Sequence, residues 1–70
     1  MKVLIVGGGG REHAIGHAIA KNKEVEKIYF APGNGGTDDV GENIAISSGD
    51  IEGLLKFAKD MAVDFTVVGP

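Results

Sequence analysis

The residues of this chain best suited to chemistry are bunched at the end of its first apolar run, where Val3-Leu4-Ile5-Val6 gives way to Gly7-Gly8-Gly9-Gly10-Arg11-Glu12-His13. Glycine lets the backbone take φ > 0 and lets another group come close to the main chain. The first N–H groups of a helix have no intrahelical partner and sit at the positive end of its dipole. A helix starting directly after these glycines is therefore a seat for an anion, most often a phosphate. Arg11 is a candidate forked donor to that anion, and Glu12 a candidate acceptor for a ligand amine or hydroxyl. The plainer alternative is a glycine turn that serves packing alone, with Arg11 an ordinary surface residue. Two further loops have a similar composition: Ala31-Pro32-Gly33-Asn34-Gly35-Gly36-Thr37 and the terminal Gly69-Pro70.

Other constellations are weaker. His13 and His17 stand at i and i+4, but no third ligand is evident and the H-E-x-x-H order is absent, so packing or solvent exposure is the expectation for both. Asp38-Asp39 reads as a solvated loop pair, and no Ser/His/Asp or paired-carboxylate set can be assembled. A Walker A loop is excluded because no Gly-Lys pair occurs. A dinucleotide fingerprint fails in both registers: G-x-G-x-x-G read from Gly7 puts Glu12 at the third glycine, and read from Gly8 puts His13 there. The acidic residue expected at the end of the second strand is also missing, since that strand runs out in Tyr29-Phe30-Ala31-Pro32. A dinucleotide-binding module of an oxidoreductase stays as the alternative class.

The elements that must position these loops can be read from periodicity. Val3 to Val6 is apolar at every position, as in a strand covered on both faces. Ala14, Ile15, Ala18 and Ile19 predict a helix over Arg11 to Lys21 that packs through this stripe. Lys27 to Phe30 predicts a second strand. The long surface loop from Ala31 to Asn43 follows, then a brief extended piece over Asn43 to Ile46. Ser47, Ser48, Gly49 and Asp50 are candidate caps for a second helix whose apolar stripe is Ile51, Leu54, Leu55, Ala58 and Met61, with Glu52, Lys56, Lys59 and Asp60 toward solvent. Asp64 to Val68 is the last strand. The sum is an α/β, Rossmann-like βαβαβ unit with a parallel sheet, flanking helices and right-handed crossovers. Its three glycine-rich loops all leave carboxyl ends of strands, the edge where open parallel sheets bind ligands.

Composition sets the frame. Seventy residues with 43% hydrophobic and 24% charged side chains fit a globular protein. A chain of this size buries only about 60% of its unfolded surface, so a longer natural protein is expected. No apolar run approaches ~18 residues. The absence of an apolar leader and of cysteine fits a cytoplasmic origin. Net charge is −3, but residues 1–27 carry +2 and residues 28–70 carry −5, which puts the first glycine loop in the basic part. Neither nucleic acid nor a membrane is an expected partner.

Taken together, M-K-V-L-I-V-G-G-G-G-R-E-H-A over residues 1–14, A-P-G-N-G-G-T over 31–37, the Asp50-Ile51-Glu52-Gly53-Leu54-Leu55 helix start and D-F-T-V-V-G-P over 64–70 closely resemble the glycinamide ribonucleotide synthetase (phosphoribosylamine–glycine ligase) family of the ATP-grasp superfamily. The resemblance covers the whole chain. It implies that residues 1–70 are a partial amino-terminal, pre-ATP-grasp domain of a ligase that joins glycine to 5-phosphoribosylamine in de novo purine synthesis. ATP and Mg²⁺ (or Mn²⁺) would be bound by the remainder of the ligase chain, so this piece alone should not catalyse. By the same resemblance Gly9 and Gly10 offer N–H groups to the substrate, Arg11 and Glu12 contact it or orient the loop, and Gly33 and Asn34 form a second wall. Gly69 and Pro70 supply the third loop. The family often carries serine at the position of Gly8, a change expected to leave the loop's role intact.

Overall fold

The computed structural model describes residues 1–68. Its strands are β1 (Lys2–Gly7), β2 (Lys27–Pro32), β3 (Glu42–Asn43) and β4 (Phe65–Val68), and its helices are α1 (Gly10–Ile19) and α2 (Ile51–Asp60). All strand pairs are parallel and stand in the order β3-β2-β1-β4. The α/β reading with flanking helices holds, with one short strand added. The extended piece expected over Asn43 to Ile46 pairs earlier, at Tyr29↔Glu42 and Phe30↔Asn43. Ile44 and Ile46 then leave the ladder to pack beneath α2.

Strand alternation explains the layering. Leu4, Val6, Tyr29 and Ala31 face one way and pack with Leu54 of α2. Val3, Ile5, Ile28 and Phe30 face the other way, against Ile15 and Ile19 of α1. A strand buried on both faces needs apolar residues at successive positions, which is why β1 and β2 read as continuous runs. The chain moves outward from β1 to β2 with α1 on one face, then back across the sheet to β4 with α2 on the other. Opposite directions on opposite faces give both crossovers the same hand. The reversal falls between β1 and β4, the switch point at which such sheets bind ligands.

Each helix buries only part of the stripe expected for it. In α1, Ala14 and Ala18 are exposed, Ile15 and Ile19 are half-buried, and Gly16 is the buried residue. A Cβ at Gly16 would come within 3.0 Å of Phe30 Cε1 and 3.4 Å of Ile5 Cδ1, so the helix rests on the Phe30 ring through a position with no side chain. In α2, Leu54 is buried and Phe57 and Ala58 are half-buried, while Ile51 and Leu55 are 63% and 67% exposed and Met61 is exposed as well. Two stripes at helical spacing share Leu54 and Ala58. The ring of Phe57 meets Tyr29 edge-on at 4.9 Å and 83°, which selects the stripe containing it. Of the four candidate caps, Asp50 is the one used, accepting from Gly53 N at 3.0 Å. No helix among the described residues is long and apolar enough to cross a membrane.

Candidate functional site

The glycine turn leaves β1 at Gly7, and Gly9 is the extended residue preceding α1, with φ −89° and ψ 176°. Glu12, in the first turn of α1, folds back so that Oε1 accepts from Gly9 N at 3.1 Å. Glycine has no side chain with which to return a bond to the helix amides. The N–H groups of Gly10, Arg11 and Glu12 therefore have no partner among the described residues. Gly8, Gly9, Gly10 and Arg11 are exposed, and the Arg11 guanidinium makes no hydrogen bond or ion pair among the described residues. Open amides at the positive end of α1, with Arg11 in its first turn, are the kind of arrangement that suits an anion.

The second loop is stitched to the first. Gly33 N donates to Gly7 O at 3.0 Å, and Asn34 Nδ2 donates to Gly8 O at 2.8 Å. Gly33 can start this loop because its φ of +77° is one that side chains rarely adopt, and a Cβ there would run into Thr37 and Asn43. Asn34 is held at every polar group: Oδ1 accepts from Gly36 N (2.7 Å) and Thr37 N (3.1 Å), and its own N donates to Thr37 Oγ1 (2.8 Å). Its carbonyl accepts from Asn43 Nδ2 at 2.7 Å. The single Thr37 hydroxyl proton is shared between that carbonyl at 2.9 Å and Asn43 Oδ1 at 2.5 Å.

The expected site residues fall into three groups. Gly10 and Arg11 stand open to a ligand, whereas the Gly9 amide is occupied by Glu12, so Gly9 shapes the turn and does not present its N–H. Glu12 orients the loop through Oε1 and keeps Oε2 without a partner among the described residues. Gly33 and Asn34 adjoin the glycine turn, and their donors Gly33 N and Asn34 Nδ2 hold the two loops together. Gly69 and Pro70 lie outside the described residues; the pairing Val6↔Val68 ends β4 beside the glycine turn. A Cβ at Gly8 would lie 2.6 Å from the Gly33 carbonyl oxygen, so a side chain at this position requires one loop to shift against the other.

Three residues at the site escaped sequence reasoning. Thr37 closes a recognisable turn sequence, a weak signal; Asn43 has none, since no periodicity links it to Asn34. His13 lies over the second loop, where a Cβ at Gly36 would stand 2.8 Å from its Cε1. His17, Asp38 and Asp39 are exposed, and among the described residues no three His, Cys, Asp or Glu side chains gather as a metal seat.

A family described as phosphoribosylglycinamide synthetase, N domain, matches residues 1–70. The phosphoribosylamine–glycine ligase of Caldanaerobacter subterraneus subsp. tengcongensis is 54% identical over 70 residues, and those of Vibrio parahaemolyticus and Allochromatium vinosum are 53% and 51% identical over 72. Each match takes in 100% of this chain and 17% of the relative, so the chain spans about a sixth of their length. A crystal structure of phosphoribosylamine–glycine ligase from Thermotoga maritima is similar with a TM-score of 0.76 and 39% identity, over 100% of this chain and 16% of that one.

Proposed function

The chain belongs to the phosphoribosylglycinamide synthetase N-domain family, and from that premise we propose that it forms the phosphoribosylamine-facing part of a phosphoribosylamine–glycine ligase of de novo purine synthesis. In that reaction ATP converts the glycine carboxylate to an acyl phosphate. The amine of 5-phosphoribosylamine then adds to the acyl carbon and phosphate leaves, giving glycinamide ribonucleotide, ADP and phosphate. The proposal places residues 1–70 in a partial Rossmann-like, pre-ATP-grasp domain of a cytoplasmic enzyme, with the rest of the ligase chain as its partner. ATP, Mg²⁺ (or Mn²⁺) and glycine are assigned to that remainder. No three metal-ligating side chains gather among the described residues, so no step through a metal is derived on this chain.

The residues here bind and orient. The substrate's phosphate is received by the N–H groups of Gly10 and Arg11 and by the Arg11 guanidinium, where anion, dipole and fork reinforce one another. Glu12 Oε2 accepts from the substrate's amine or a ribose hydroxyl. The third loop, at Gly69 and Pro70, completes the cradle in this proposal. One observation supports the reading above others: the loops after β1 and β2 are bonded to each other through Gly33 N and Asn34 Nδ2, while the amides at the helix end are left unpartnered.

Arg11→Ala in the full-length ligase tests it. The KM for phosphoribosylamine is expected to rise about tenfold or more, as for a lost charge-assisted bond, with the KM values for ATP and glycine within about twofold. Equal changes in all three would remove Arg11 from the substrate site.

A further inference from the structure

Thr37 is 0% exposed and is the only polar side chain buried among the described residues. It sits in a loop, where burial of a hydroxyl has to be explained by its bonds. Those bonds lead to one place. Thr37 and Asn43 hold the backbone of Asn34 by its N–H and its carbonyl, and Gly36 N and Thr37 N fix its side-chain oxygen. With both ends of that side chain set, Nδ2 has one direction left, toward Gly8 O. Asn43 in turn is anchored by the sheet, as the partner of Phe30 on β3.

From this chain of contacts we propose that Thr37 and Asn43 are positioning residues for the phosphoribosylamine site: they act through Asn34 to set the distance between the second loop and the glycine turn. The inference rests on the functional reading above. Neither residue touches the ligand; each limits how far the Gly8 carbonyl, and with it the first amides of α1, can drift. Two features mark this as more than loop stability. The latch spans two loops 26 residues apart in sequence, and its last bond is made to the residue that leads into the anion seat.

The test uses the full-length ligase with Thr37→Val, which keeps the shape and removes the hydroxyl, and Thr37→Ser, which keeps the hydroxyl. Thr37→Val is expected to raise the KM for phosphoribosylamine about tenfold, the scale set by leaving buried hydrogen-bonding groups unpaired, while the KM values for ATP and glycine stay within about twofold. Thr37→Ser should restore most of the loss. Asn43→Ala gives an independent arm should Thr37→Val fold poorly, and the same split is expected. A uniform rise in all three KM values, or no rise for phosphoribosylamine, overturns the latch. Arg11→Ala measured alongside separates the two claims. A response of Arg11 without Thr37 and Asn43 sinks the latch and leaves the site standing, and a response of none of them sinks both.

Discussion

Asn34 Nδ2 donates to the carbonyl oxygen of Gly8 at 2.8 Å, bridging two loops that leave neighbouring parallel strands. The bond makes one surface of two turns. Asn34→Asp keeps the acceptor Oδ1 but puts a carboxylate oxygen against the Gly8 carbonyl. We expect the KM for phosphoribosylamine in the full-length ligase to rise about tenfold with ATP use little changed. An unaltered KM would show that the loops do not need this bond.

Gly8 is the other half of that relationship. A Cβ on it would stand 2.6 Å from the Gly33 carbonyl, a backbone atom that cannot swing aside. Gly8→Ala and Gly8→Ser should both push the loops apart and raise the KM for phosphoribosylamine severalfold, with serine no better than alanine. Recovery by serine alone would show that a hydroxyl at this position replaces the lost contact.

Gly16 governs how closely α1 lies on the sheet. Gly16→Ala drives a methyl group into the Phe30 ring and should destabilise by about 1–3 kcal/mol through overpacking, despite alanine's better helix propensity. Chemical denaturation measures the loss, and Phe30→Leu in the same chain should return part of it, as expected for residues in contact. A stabilised Gly16→Ala variant would contradict the packing.

Asp50 caps α2 by accepting from Gly53 N and, among the described residues, makes no hydrogen bond to the glycine turn. Asp50→Ala should cost about 1 kcal/mol of stability and leave the KM for phosphoribosylamine unchanged, which makes it the control for stability effects. A change in that KM would show that α2 communicates with the site.

Strand identity and the edge on which the loops meet were legible because burial on both faces leaves an unbroken apolar run, visible in Val3 to Val6 and Ile28 to Ala31. The buried face of each helix was less so. Leu54 and Ala58 belong to two stripes at helical spacing, and only the Tyr29 ring, supplied by a distant strand, chooses Phe57 over Ile51 and Leu55. In α1 the contact runs through a glycine, which hydropathy does not mark as apolar bulk. At the loops, residue types pointed to anion chemistry, but the engagement of Gly9 N and Asn34 Nδ2 is visible only in the structure. The Thr37–Asn43 pair has no one-dimensional signature at all.

The stitching between Gly33 and Gly7 has a consequence for energetics. Each loop is tethered to a central strand and to its neighbour, so its shape is fixed when the sheet forms. A ligand docking there meets a rigid receptor and is spared the roughly 1–2 kcal/mol per residue that freezing a slack backbone would demand.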